Sequence, residues 1–160
     1  MKAHRTISKQ MCLQRIAFLP AALAIGFALA GCGRPGDSLK FRAPAKFGDA
    51  QNIMGLTQIW ETPDKKEVLM LTKVPFGSDS KNVLQTATLK GARLEKKEQI
   101  RICGNEPATL FMLSKENERQ RIDAVVKSAG GATYLAMYIY SQDAKPNSQA
   151  ESAIRDLCEK

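Results

Sequence analysis

Hydrophobic and polar positions alternate along several short segments of the chain, as they do in β-strands whose two faces differ. In residues 121–127, Ile122, Ala124 and Val126 share one face, and Arg121 with the other charged side chains takes the opposite face. Residues 68–71 are apolar on both faces, which is typical of a central strand. The pattern predicts strands over residues 57–61, 67–74, 99–102, 108–114, 121–127 and 132–141.

Two further segments have helical periodicity. Residues 80–90 place apolar side chains on one face and stop at Gly91, which predicts a short helix. Near the carboxyl terminus, Ser148 and Glu151 have the spacing of a capping box, with Ser148 as the cap of a last helix. The apolar stripe of that helix consists of Ala150, Ala153, Ile154 and Leu157.

The order of these elements predicts an α+β fold. We expect a single small domain over residues 47–160, with an antiparallel sheet of about five to six strands and two helices packed on one face. This element order is similar to that of PsbP/Mog1-like domains, which some small bacterial lipoproteins adopt.

The amino-terminal residues have the layout of an export signal. Residues 1–15 contain four basic residues and no acidic ones, and residues 16–30 form a run of fifteen largely apolar residues. A helix of that length spans ~22 Å, less than the ~30 Å core of a bilayer, so a cleaved signal is favoured over a permanent transmembrane helix. We expect residues 1–31 to be a signal peptide that is removed.

The apolar run ends in Leu29-Ala30-Gly31-Cys32, which resembles the lipobox of bacterial lipoproteins. The resemblance implies cleavage between Gly31 and Cys32, a diacylglycerol on the Cys32 sulfur and acylation of the new amino terminus. The membrane is then a partner through the lipid anchor. In a cell with two membranes, Gly33 rather than Asp after the cysteine resembles the pattern of outer-membrane sorting. An ordinary signal with a coincidental cysteine is the alternative.

Most of the positive net charge lies outside the predicted domain. The chain has 24 Lys and Arg residues against 16 Asp and Glu, a formal charge of +8. Four basic residues leave with residues 1–31, and residues 32–46, rich in Gly, Pro and basic residues, predict a flexible tether. Residues 47–160 keep 16 basic and 15 acidic residues, so the domain is nearly neutral and no nucleic-acid partner is expected.

A basic run is the first candidate binding surface. Arg93, Lys96 and Lys97 lie within residues 90–101, which carry five basic and two acidic residues. Such a run suits phospholipid head groups or an acidic envelope polymer. It is also typical of a solvated edge strand that resists pairing with other chains.

A row of tyrosines is the second candidate. Tyr134, Tyr138 and Tyr140 share one face of the 132–141 strand with Ala136. If a helix covers this face, the tyrosines belong to the core. If the face is open, it is an aromatic surface for a partner.

The four cysteines support export. Cys12 leaves with the signal and Cys32 takes the lipid, so Cys103 and Cys158 remain. In an oxidising compartment, two remaining thiols in a small domain usually pair, and we expect a disulfide that joins the last helix to the sheet. Strict alternation aims Cys103 away from Ile102, so a bend at the following glycine is needed. Two free buried thiols are the alternative.

Catalytic chemistry has little support in the predicted mature chain. The only histidine of the whole sequence, His4, lies in the predicted signal. Its removal leaves the mature chain without His-based triads or the usual zinc ligands. We therefore expect no enzyme, no cofactor and no metal site. The function predicted is a non-catalytic binding or assembly module whose partner is an envelope protein or polymer. A small hydrolase is the alternative, with three candidate carboxylate pairs: Asp64/Glu67, Glu95/Glu98 and Glu116/Glu118.

Overall fold

Seven antiparallel strands form one sheet in the computed structural model, which describes residues 35–74, 91–129 and 131–160. The order across the sheet is β1-β2-β3-β7-β6-β5-β4, so the last strand lies at its centre. A 3-10 turn, Glu116–Glu118, joins β5 to β6. The elements are β1 Gln51–Ile53, β2 Thr57–Glu61, β3 Val68–Val74, β4 Arg93–Ile102, β5 Glu106–Lys115, β6 Gln120–Ala129, β7 Ala132–Ser141 and α1 Ser148–Arg155.

The expected sheet of five to six strands with two helices is wrong. The sheet has seven strands, and the described residues contain one short α-helix. The additional strand is β1, whose three residues are all exposed and show no apolar face to find in the sequence. The predicted helix over residues 80–90 lies outside the described residues.

The two faces of the sheet carry separate hydrophobic clusters. The face under α1, called the helix side below, contains Leu69, Leu71, Leu110 and the row of three tyrosines among its buried residues. The opposite face contains a second buried cluster: Phe111, Leu113, Ile122, Ala124, Val126, Leu135 and Met137. Strands β6 and β7 are therefore buried on both sides, as central strands are.

The segment before the sheet packs into the helix-side core. Leu39 is fully buried, and Phe41 and Phe47 are 6% exposed. Leu39 pairs with Glu159 in an isolated antiparallel bridge, and the Lys40 amide donates to the Cys158 carbonyl at 2.7 Å. The described part of the predicted tether therefore packs on the domain and is hydrogen-bonded to the domain's carboxyl-terminal residues.

Helix α1 begins one residue earlier than the capping box suggested. Asn147, and not Ser148, is its N-cap, and the Asn147 side chain accepts a hydrogen bond from the Gln149 amide at 2.9 Å. Three residues of the predicted apolar stripe, Ala150, Ala153 and Ile154, are buried on this helix. The fourth, Leu157, is also buried but lies after the end of the helix. The helix ends at Arg155, so Cys158 lies in the extended segment that follows it.

The described residues, from position 35 onward, belong to one compact unit. Among the helices described, none is long and apolar enough to cross a membrane.

Candidate functional site

The tyrosine row is part of the core. Tyr134, Tyr138 and Tyr140 are 4%, 0% and 5% exposed, and they pack with residues of α1 in the same cluster. Tyr138 and Tyr140 stack with ring centroids 4.7 Å apart. Of the two alternatives that the sequence left open, the structure therefore shows the core and not an open aromatic surface.

The hydroxyl of Tyr138 ties the helix to the sheet. It donates to Glu67 Oε2 at 2.7 Å and accepts from the Asn147 amide at 3.0 Å. Lys46 Nζ reaches the other oxygen of Glu67 at 2.5 Å. Burial raises the pKa of Tyr138, and the Glu67 carboxylate raises it further, so this hydroxyl stays protonated and acts as a structural donor.

A buried carboxyl group lies under the same helix. Asp123 is 5% exposed, and burial raises its pKa, with a smaller contribution from Glu151 on α1. The positive charge of Arg155 opposes this rise. The Tyr140 hydroxyl donates to Asp123, and burial together with the Asp123 charge raises the pKa of Tyr140 to about 12. The sequence placed Asp123 on a polar strand face but gave no sign that this face is covered.

Asp123→Asn is expected to gain stability relative to the native protein as the pH rises. The raised pKa means that the folded state binds the proton more tightly, so ionisation above the ordinary value of 3.8 costs folding free energy. Asn removes that cost and keeps an oxygen that can accept from Tyr140. Urea unfolding at pH 4 and pH 7 measures the change.

Asp64→Asn is the matched control, because Asp64 has the opposite shift. Hydrogen bonds from the Thr62 side chain and the Lys66 amide lower the pKa of this exposed carboxyl. Its contribution to stability is present above the ordinary pKa and is lost as the pH falls. If raising the pH changes the stability of the Asp123 and Asp64 variants, relative to the native protein, in the same direction, the prediction is contradicted.

Cys103 and Cys158 form a disulfide, as the cysteine count predicts, with Cα atoms 5.3 Å apart. The required bend is present, because Cys103 and Gly104 both have positive φ, 53° and 84°. This turn leaves the strand direction and aims the thiol at the carboxyl-terminal segment. The bond joins that segment, rather than the helix itself, to the turn after β4.

A buried lysine lies beside the disulfide. Lys127 is 2% exposed and its Nζ lies 3.5 Å from Cys103 Sγ. The ammonium donates to the Leu157 carbonyl at 2.9 Å and pairs with Glu106 Oε2 at 2.6 Å. These partners satisfy the buried charge and hold the segment around Cys158 against β6.

The predicted basic surface lies on edge strand β4, but its members do not share a face. Lys96 is opposite Met112 in the register, whereas Lys97 is opposite Phe111 and lies 5.4 Å from the centre of that ring. Lys96 pairs with Glu98, and Arg93 lies 3.3 Å from Glu116. Alternation therefore divides the basic run between the two faces, and carboxylates pair with Arg93 and Lys96.

The carboxylates proposed for a hydrolase are each engaged in ion pairs or local hydrogen bonds. Glu95 lies 3.5 Å from Arg121, and Glu118 pairs with Lys115. Asp64 lies 3.8 Å from Lys66. Ion pairs and turn hydrogen bonds of this kind are what structural carboxylates make near a protein surface.

An open groove of about 660 Å³ lies between residues 42–45 and the outer face of α1. Ser148, Ser152 and Asp156 provide its polar lining on the helix side, and Arg42 provides a cation on the other. The sequence contained no signal for this groove, because residues 42–45 have the composition of a tether.

No protein-family model matches the chain, and no curated protein matches it by sequence. Among solved structures it is similar to the solution structure of cyanobacterial PsbP from Synechocystis sp. PCC 6803, with a TM-score of 0.50 and 13% identity over 78% of this chain and 88% of that one. The fold is PsbP-like. A Pseudomonas aeruginosa protein of unknown function matches with a TM-score of 0.40 and 15% identity, over 66% of this chain and 89% of that one, and adds no argument.

The likeness confirms the PsbP-like resemblance predicted from element order, and at 13% identity it extends to the fold alone. Within the described part of this PsbP-like domain, no three His, Cys, Asp or Glu residues are placed to hold a metal ion.

Proposed function

We propose that this chain is an exported lipoprotein whose PsbP-like domain works as a non-catalytic binding or assembly module at a membrane surface. The observation that carries the proposal is the sequence Leu29-Ala30-Gly31-Cys32 at the end of a short apolar run that follows a basic segment. Gly33 after the cysteine favours the periplasmic side of an outer membrane in a cell that has two.

The short distance along the chain between Cys32 and the core supports this function. Leu39 is fully buried and comes only seven residues after Cys32. Seven residues extend over ~25 Å at most. A lipid on Cys32 would therefore hold the domain against the bilayer, where a partner in the same membrane meets it in a restricted orientation.

The disulfide supports an oxidising location. Stable disulfides belong to exported compartments, whereas cytosolic thiols are kept reduced. The Cys103–Cys158 bond joins residues 55 apart in the sequence and ties the end of the chain to the sheet. This is the arrangement expected of a small domain that has left the cytoplasm.

A binding role agrees better with the described residues than a hydrolase does. The carboxyl group whose pKa is raised, Asp123, is 5% exposed beneath α1 and has no access to a substrate. Three carboxylates of the hydrolase alternative, Asp64, Glu116 and Glu118, lie beside basic side chains. The divided basic run on β4 likewise offers no continuous surface for a polyanion.

Cys32→Ser is expected to abolish lipid labelling and to move the protein from the membrane fraction to the soluble fraction. Cells that express the full chain are labelled with a palmitate analogue and fractionated. Cys12→Ser is the matched control, because Cys12 lies in the predicted signal but outside the four-residue motif, and it should be labelled like the native chain. Persistent labelling of Cys32→Ser would contradict the proposal.

The same two variants test the module role. Cross-linking in intact cells should join the native chain and Cys12→Ser to the same membrane or envelope component, and Cys32→Ser should lose most of that product. A lipidated chain that cross-links to no other component would exclude assembly as its function.

A further inference from the structure

Exposed large hydrophobic side chains are concentrated on one loop of the domain. Among the described residues, the large apolar side chains that are exposed are Ile53, Met54, Leu56 and Leu94. The first three lie where β1 turns into β2: Ile53 is the last residue of β1, and Met54 and Leu56 belong to the connection. Residues 53–56 are called the 53–56 loop below, and Met54 is 91% exposed. Such a local concentration of exposed apolar side chains indicates an interaction site.

The backbone holds this loop in a defined conformation. The Leu56 amide donates to the Ile53 carbonyl at 3.1 Å, and the Lys73 amide donates to the Leu56 carbonyl at 2.8 Å. Met54 has a φ of 52° and Gly55 a φ of 70°. A tight turn with two positive φ values favours Asn or Asp before the glycine, and a methionine there is unusual. Neither the turn nor the core of the domain explains an apolar side chain at this tip.

The loop lies at the end of the sheet where the amino-terminal segment joins the domain. The Gly36 amide donates to Gln58 Oε1 at 2.9 Å, and Gln58 comes two residues after Leu56 on the same chain. Two residues of a strand cover ~7 Å. Ser38 Oγ lies 3.2 Å from the Tyr134 hydroxyl, and Tyr134 is paired with Lys73 in the register. Residues 36–38 and the loop therefore occupy the same end of the sheet.

A lipid on Cys32 would hold this end of the sheet close to the bilayer, because few residues separate Cys32 from the domain. Cys32 precedes Pro35 by three residues, which extend over ~11 Å at most. The cations at this end include Lys73, next to the loop, and Lys160, whose Nζ donates to the Asp37 carbonyl at 2.9 Å. Cations beside an apolar tip suit a surface with anionic head groups and an apolar interior.

We propose that the 53–56 loop inserts into the lipid interface beside the anchor on Cys32 and fixes the orientation of the domain on the membrane. This inference rests on the proposed lipidation. The lipid and the loop form two contacts with one bilayer, so the domain no longer rotates freely about its attachment. The opposite end of the sheet, with the turn over residues 62–67, then points away from the membrane.

Tryptophan quenching by brominated lipids tests the insertion. Met54→Trp is made in a Trp60→Phe background of the full chain, and the lipidated protein purified from membranes is reconstituted in vesicles of phosphatidylcholine and phosphatidylglycerol. Interfacial segments are buried about 5–10 Å below the head groups, so bromines near the start of the acyl chains should quench the introduced indole by about half. If its emission is the same with and without brominated lipid, the loop is not inserted.

Lys65→Trp in the same background is the matched control. Lys65 also has a positive φ, 56°, and lies in the turn between β2 and β3 at the far end of the sheet. Its tryptophan should show no quenching. Equal quenching of the Met54→Trp and Lys65→Trp variants would overturn the proposed orientation. A blue-shifted but unquenched emission from Met54→Trp would mean that a protein covers the loop instead.

Two outcomes separate this inference from the proposed function. If Cys32→Ser keeps its membrane fractionation and labelling, the lipid anchor is wrong. If the lipidated Met54→Trp variant is bound to the vesicles but its indole is unquenched, the anchor stands and the insertion fails. If Trp60→Phe prevents folding, the native Trp60 background is used and the quenching of the native chain is subtracted.

Discussion

Replacing both Cys103 and Cys158 by Ser is expected to lower the free energy of unfolding by about 4 kcal/mol. The bond closes a loop between residues 55 apart in the sequence, so its loss gives the unfolded chain much more freedom. Small domains have a total stability of about 5–15 kcal/mol, so the double variant should lose between about a quarter and most of its stability.

Urea unfolding with and without a thiol reductant measures this effect. The reductant should destabilise the native protein about as much as the double substitution does, and it should leave the double variant unchanged. That second result controls for any effect of the reductant on the rest of the protein. A native protein whose urea midpoint does not respond to a reductant that fully opens the bond would contradict the prediction.

Leu39→Ala is expected to lower the free energy of unfolding by about 3 kcal/mol, because the side chain is fully buried in the helix-side core. A leucine in a flexible tether would give no change when shortened. Lys40→Ala is the matched control, since Lys40 is exposed and its hydrogen bond to Cys158 uses the backbone. The control should stay within about 0.5 kcal/mol of the native protein.

The comparison of these two variants decides between two descriptions of residues 35–47. If Leu39→Ala and Lys40→Ala unfold at the same urea concentration, this segment contributes nothing to the domain. If only Leu39→Ala is destabilised, the core begins within seven residues of Cys32.

Sequence patterning predicts the centre of this fold well, because the central strands have clear alternation. Alternation over residues 132–141 predicts a strand with Tyr134, Tyr138 and Tyr140 on one side. Strand β7 covers the same range and buries the three tyrosines in one cluster. The disulfide is predictable from counting alone, since the predicted export steps leave one pair of cysteines. Local spacing and residue type are sufficient for both predictions.

The missed elements lack a local signal. Strand β1 is exposed throughout, so its hydrogen bonds to β2, and not a buried face, define it. Strand β4 begins at Arg93, whereas alternation of apolar residues predicts a strand only from position 99. For its charged first half, the edge-strand alternative is the one that the structure shows. Leu39 and Phe41 are obscured by Gly, Pro and basic neighbours. Whether these strands pair and these side chains become buried depends on distant parts of the chain.

The buried polar residues escape prediction for a related reason. Alternation places Asp123 and Lys127 on the polar side of β6, which by itself predicts solvated side chains. Helix α1 and the segment after it cover that side, so both residues are nearly buried. Periodicity shows which residues share a face but not what later covers that face, and here the cover comes from the end of the sequence.

The strand order has a consequence for how the protein is made. Strand β3 pairs with β7, so residues 68–74 find their neighbours at residues 133–139. The chain is synthesised from its amino terminus, so β3 is complete before the strand that pairs with its edge has been made. The strand that closes this edge, and Cys158 of the disulfide, both come well after β3 in the sequence. An incomplete chain lacks both, which makes the unfinished sheet the form most exposed to pairing with other chains.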